Sequence, residues 1–211
     1  MTQASVNKNR KFSILLCHGY KSSPREMHNL ASFLNKQGFD TYCVRLSGHG
    51  TNPKNIQDVT WRDWDRSFQR GYSILKNITD NVIVIGFSTG GLISLLNASR
   101  KNDNLSAVIA INPAIRLQDI RSILVSTINR WNGLLDKFKI KKGSFKYVES
   151  NPENPKLNYS RNYLKGVVEL KKLMEKCDDS LSKIKSPILL IQGSQDPVVN
   201  PRGANLIYHK I

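Results

Sequence analysis

Five short apolar runs stand out along the chain: residues 12–17, 41–45, 82–86, 107–112 and 188–192. Each is rich in Ile, Val or Leu, and none alternates apolar with polar positions, which is the pattern of strands covered on both faces. Between the early runs, apolar residues return at helical spacing. Met27, Leu30, Ala31 and Leu34 stand at i, i+3, i+4 and i+7 ahead of Gly38 and predict one helix. Trp61, Trp64, Phe68 and Leu75 predict a second, and Leu92, Leu95 and Leu96 a third. Strand and helix in alternation predict an α/β fold with a mostly parallel sheet and helices on both faces.

About 75 residues separate Pro113 from Pro187, far more than two consecutive strands of one sheet need. This stretch carries its own helical stripes (Ile120, Ile123, Leu124 and Ile128, then Leu164, Val167, Val168, Leu170 and Leu173) around an Asn- and Pro-rich loop at 150–160. The expected division is a core of 1–112 and 186–211, with 113–185 as a helical lid insertion and its connecting helix. Ile115, Leu117, Ile120, Leu124, Trp131, Leu134, Leu135 and Phe138 are candidates to line an apolar pocket there, or to form the lid's own core.

Composition narrows the classes. With 211 residues, 39% hydrophobic and 23% charged, the chain has enough apolar material for a real core and is neither disordered nor fibrous. The excess of 32 bases over 16 acids gives +16, a field that favours anionic partners. The charge is spread along the chain, apart from five lysines and no acid in 137–146. Nothing resembles a helix-turn-helix, a zinc spacing or an RNP-like aromatic strand, so a nucleic-acid partner is not expected. A weak contact with a membrane surface suits the 137–146 run better. Three cysteines cannot all pair, and no CxxC occurs, so neither a metal site nor a redox pair is indicated. A polar start and the lack of an apolar run near 18 residues make a cytoplasmic location the expectation.

Four motifs stand out, three that carry chemistry and one that supports them. Gly86-Phe87-Ser88-Thr89-Gly90 lies between a predicted strand and a predicted helix. There the glycines permit a strained turn that lifts the Ser88 hydroxyl to the sheet edge, and the Thr89 N–H points toward a developing oxyanion. The alternative is an ordinary Gly-rich turn with a capping serine. Cys17-His18-Gly19-Tyr20 follows the first strand and offers a second such amide, that of Tyr20, with His18 as a buried loop anchor. Ser47-Gly48-His49-Gly50 reads as a tight turn under the site. Gly193-Ser194-Gln195-Asp196-Pro197-Val198-Val199 follows the last strand, where Asp196 is placed to orient a histidine, or else to begin a turn.

Taken in chain order (His18-Gly19, Ser47-Gly48-His49-Gly50, the Gly86–Gly91 elbow and Gly193–Val199), the motifs resemble the α/β-hydrolase family, in particular its small carboxylesterase and monoacylglycerol-lipase-like branch with a helical lid. The resemblance spans residues 12–211. It implies a serine hydrolase of carboxylic esters that needs no cofactor and no metal, acts on a small acyl-ester substrate, and has Ser88 as nucleophile, Asp196 as acid, and Tyr20 and Thr89 as oxyanion amides. Substrate-binding residues and oligomeric state stay open. The pattern departs in one respect: the family's general-base histidine follows one more strand, and His209 alone follows Asp196. A helix from about Pro201 would carry His209 roughly 12 Å from the strand ends, out of reach of Ser88. A shortened hydrolase, with an exposed sheet edge at 188–192, is therefore expected, and an inactive binding protein on the same fold is the alternative.

Overall fold

In a computed structural model of the chain, which describes residues 12–100, 104–118, 147–149, 154–155 and 157–211, all five apolar runs are strands. The strands are β1 (Ser13–Cys17), β2 (Asp40–Val44), β3 (Val82–Phe87), β4 (Leu105–Ile111), the short β5 (Tyr147–Glu149) and β6 (Arg161–Tyr163), and β7 (Ile188–Ile191). The helices are α1 (His28–Lys36), α2 (Trp61–Lys76), α3 (Thr89–Ala98), α4 (Leu164–Asp178) and α5 (Arg202–Lys210). A parallel sheet runs in the order β2-β1-β3-β4-β7. The chain winds outward from β1 to β2, then returns to β3 on the other side. This reversal falls between β1 and β3, and beyond the C-terminal strand ends at such a point open α/β sheets bind ligands.

Every residue of β1 is buried, and its side chains divide between two cores. Ile14 and Leu16 pack with Met27, Ala31 and Ile85 beneath α1. Leu15 and Cys17 join Val84, Val108 and Ala110 under Trp64 and Phe68 of α2 and Leu92 and Leu96 of α3. The stripe that predicted α2 is thus its core face, and the Thr60 N–H donates to the Asp63 carboxylate (2.8 Å) to start the helix. On the same side α4 buries Leu164, Leu170 and Leu173, and the Glu169 carboxylate accepts the Trp61 N–H (3.1 Å). This is the helix expected to lead back to the sheet.

Two features of the sheet differ from a fully covered one. β7 lies at an edge, as anticipated, and its alternate residues Leu189 and Ile191, in register with Ile109 and Ile111, are 53% and 45% exposed. β5 and β6 form a small antiparallel pair inside the insertion that the sequence predicted as helical, because three residues are too few to set up a period. The predicted helix over 120–128 and most of the proposed pocket residues (Ile120, Leu124, Trp131, Leu134, Leu135, Phe138), like the 137–146 lysine run, lie outside the described residues. Of the remaining two, Ile115 belongs to the core, against Gly203 of α5, and Leu117 bridges to Val199. Among the described residues no helix is long and apolar enough to cross a membrane.

Phe68, 1% exposed at the centre of the α2 face, sets a scale for this core. Phe68→Ala is expected to lower the unfolding free energy by about 3–5 kcal/mol in a urea titration; a loss under about 1 kcal/mol would show that α2 does not pack as described.

Candidate active site

Ser88 occupies the bend between β3 and α3 with φ 53° and ψ −113°, a backbone conformation that costs a non-glycine residue about 1–3 kcal/mol and persists only where its surroundings impose it. Its neighbours do so. A Cβ on Gly86 would stand 2.3 Å from the Gly90 carbonyl oxygen, and one on Gly90 would stand 2.1 Å from that of Cys17. Only glycine lets strand, turn and helix approach so closely. The bend is also tied at its own backbone: the Ser88 N–H donates to Ile111 O (2.9 Å), while the Ser88 carbonyl accepts from Leu92 (3.2 Å) and Ala114 (3.3 Å). Ser88 itself is half-buried, and Thr89, the first residue of α3, is fully buried.

The loop after β1 faces this bend. A Cβ on Gly19 would lie 3.3 Å from Ser88 Cβ, so the two motifs are in van der Waals contact. Neither the Tyr20 nor the Thr89 backbone N–H donates a hydrogen bond to the described residues. Two amides with nothing to bind, one on the loop beside the serine and one at the helix N-terminus, suit a developing negative charge.

His18 is an anchor of this loop. Its Nδ1 donates to Gly19 O (2.8 Å) and its Nε2 accepts the Leu46 N–H (3.3 Å), both satisfied by one neutral tautomer. His49, held through Nδ1 to Ser47 O (2.9 Å), stacks obliquely on His18 at 5.4 Å and meets Trp64 edge-on at 5.5 Å. Burial lowers both titrations: His18 to about 3, assisted by the neighbouring His49, and His49 to about 4. Both remain neutral at pH 7.

Asp196, on the loop after β7, is pinned from three sides. Its Oδ1 accepts the Val198 and Val199 N–H groups, both at 2.8 Å, and its Oδ2 accepts Asn112 Nδ2 at 2.6 Å. Asn112 also accepts the Gly193 N–H through Oδ1 (2.8 Å) and donates its own N–H to Ile191 O (2.7 Å). The serine and the carboxylate therefore meet at one short segment: Ser88 is bonded to Ile111 and Ala114, Asp196 to Asn112. With Oδ1 filled by two amides, Oδ2 is the oxygen left to take one further donor, the role an acid needs when it orients an imidazole.

Asn112 was not singled out from the sequence. Its φ of 42° is the left-handed conformation that Asn tolerates best among residues with a side chain, and an Asn closing an apolar run is the signal that could have found it. His209 behaves as its spacing predicts. It is exposed near the end of α5, next to Lys210, whose Nζ is bonded to Asp178 at 2.7 Å. Asp178 ends α4, and from there the chain re-enters the sheet at the start of β7, opposite Asp196. His28 is exposed at the first residue of α1.

Residues 8–211 fit the family model described as serine aminopeptidase, S33. The chain belongs to that family. A thermostable monoacylglycerol lipase from Bacillus sp. (strain H-257) is 30% identical over 204 residues, 97% of this chain and 78% of that protein. A carboxylesterase from Bacillus subtilis (strain 168) is 25% identical over 94% of this chain and 78% of its own length. A solved structure from a study of the metagenome-derived lipolytic enzymes LipS and LipT superposes with TM-score 0.82 at 23% identity, covering 95% of this chain and 79% of the other. This S33 chain is thus an α/β-hydrolase of the monoacylglycerol-lipase and carboxylesterase branch.

Two expectations follow for the S33 chain. Asn112→Gly keeps the left-handed backbone and deletes the side chain that ties Asp196 to Gly193; it is expected to cost about 1–3 kcal/mol and to raise amide hydrogen exchange at 193–199, whereas unchanged exchange there would refute the tie. The second concerns pH. The unfolded chain takes up protons at His18 and His49 near pH 6.5 and the folded chain only near 3 and 4. Their contribution is therefore complete above pH 6.5 and falls as pH drops toward 4, at up to about 1.4 kcal/mol per pH unit for each histidine. Urea midpoints measured from pH 7.5 down to 5 should decline, and a flat or rising series would contradict buried neutral rings.

Proposed function

We propose that the chain is a serine hydrolase of carboxylic esters with Ser88 as nucleophile, the Tyr20 and Thr89 amides as oxyanion donors, and Asp196 as the acid that orients the base. The observation that carries the reading is the forced bend at Ser88 beside two amides that find no acceptor among the described residues, with Asp196 tied to the end of β4 through Asn112. In this mechanism Ser88 Oγ attacks the ester carbonyl carbon and passes its proton to an imidazole base. The carbonyl oxygen becomes an anion between the Tyr20 and Thr89 amides. The alcohol then leaves with that proton, and water reverses the sequence to release the acid and restore the hydroxyl. No metal or cofactor enters any step.

The substrate we favour is a small acyl ester with an apolar chain, such as a monoacylglycerol. Support comes from the 30% identical Bacillus monoacylglycerol lipase and from the apolar character of the insertion. His18 and His49 are buried with their Nδ1 atoms engaged, and His209 lies exposed in the last turn of α5. That arrangement favours one second reading, a binding protein on a hydrolase scaffold.

Free imidazole separates the two. Added to the purified chain with a short nitrophenyl ester, it can accept the Ser88 proton beside Asp196. Hydrolysis in imidazole is expected to exceed that of Ser88→Ala by about tenfold or more. Equal rates for the two well-folded monomers would reject the enzyme and support the binding protein.

A further inference from the structure

We propose that Glu26 is a positioning residue for the oxyanion loop: its carboxylate holds the Gly19 amide and so sets the direction of the next one, that of Tyr20. This rests on the reading of Tyr20 as an oxyanion donor. The Gly19 N–H donates to Glu26 Oε2 at 2.7 Å, the short distance of a charge-assisted bond. The same Oε2 and Ser88 Cβ each lie 3.3 Å from the point where a Gly19 Cβ would stand. Gly19 is therefore clasped between the carboxylate and the nucleophilic serine, in a space that is tight for any side chain.

The carboxylate is placed by its own element. Glu26 lies in a single 3₁₀ turn, Pro24–Met27, with Pro at its first position. The Glu26 N–H is bonded to Ser23 O (3.0 Å), and the next residue, Met27, is buried in the core beneath α1. The loop it grips needs such a hold. Lys21 has φ 64°, unfavourable for a lysine, and the turn is otherwise closed on itself by the Ser22 N–H to Gly19 O bond at 3.3 Å. Once the Gly19 N–H is committed to Glu26, the Gly19 carbonyl is committed to Ser22 and His18. The peptide plane that ends in the Tyr20 N–H is thereby fixed at its carbonyl.

Burial raises the Glu26 titration, with the Gly19 bond opposing, as for a half-buried carboxylate that serves an internal donor. A negative group so near the site would disfavour an oxyanion if it acted through its charge. Its value is the bond to Gly19, and charge and bond can be tested apart. Gln retains an acceptor oxygen without the charge; Ala retains neither.

The test measures phosphonylation of Ser88 by a fluorophosphonate in imidazole for the wild-type chain, Glu26→Gln and Glu26→Ala, with amide NMR of the same 15N-labelled proteins. Glu26→Ala is expected to slow phosphonylation about tenfold or more, as for a displaced oxyanion donor, with the reagent concentration at half-maximal rate unchanged. Glu26→Gln should restore the rate to within about threefold. The Gly19 amide proton should resonate downfield and move as Glu26 titrates in the wild type, stay fixed with pH in Glu26→Gln, and shift upfield together with a changed Tyr20 amide in Glu26→Ala. A Glu26→Ala rate equal to wild type, a Gln variant as slow as Ala, or a Tyr20 amide indifferent to both variants would overturn the proposal. Absence of labelling in the wild type would instead reject the serine-hydrolase reading, with the NMR arm still deciding whether Glu26 orients the loop.

Discussion

The contact between the first turn of α3 and the end of β1 governs the rest of the molecule. A hydrogen in place of a methyl group at Gly90 lets the helix backbone press against the Cys17 carbonyl, and the hydrogen at Gly86 lets the bend fold over itself. With both present, Ser88 is driven to φ 53° and its side chain is left at the strand ends. The same approach brings the loop after β1 against the serine. Strain at one residue is thus sustained by two buried cores, one on each face of β1. The site is a consequence of how tightly the central strand is packed.

Around that bend the electrostatics are assembled from backbone groups and neutral rings. His18 and His49 give up their charge to burial and serve as rigid spacers between the loops after β1 and β2. Three donors converge on the Asp196 carboxylate, the Val198 and Val199 amides on Oδ1 and Asn112 Nδ2 on Oδ2, while Gln118 Nε2 donates to its backbone carbonyl. A carboxylate so surrounded has a single direction left for a partner. Among the described residues no strand pairs with the outer edge of β7, and its Leu189 and Ile191 are exposed on the α1 side of the sheet.

Much of this was legible in residue order, and for local reasons. Buried parallel strands are continuous apolar runs, so all five were found to within two residues. The bend was found because glycine, serine and glycine at fixed spacing between a strand and a helix have a steric meaning. Asn112 and Glu26 were not found, because what matters at each is a pairing across the fold. Asn112 acts on Asp196, 84 residues later, and Glu26 acts on an amide seven residues earlier across a non-repetitive loop. No periodicity records such contacts. The β5–β6 pair escaped for a different reason, being shorter than the window in which alternation can be recognised.

The most direct measurement is the site of covalent capture. Peptide mass spectrometry of the chain treated with a fluorophosphonate in imidazole should find the adduct on Ser88, and Gly90→Ala, which cannot close against Cys17, should leave that serine unmodified. An adduct on a different serine, or equal modification of Ser88 in Gly90→Ala, would contradict a nucleophile created by the bend.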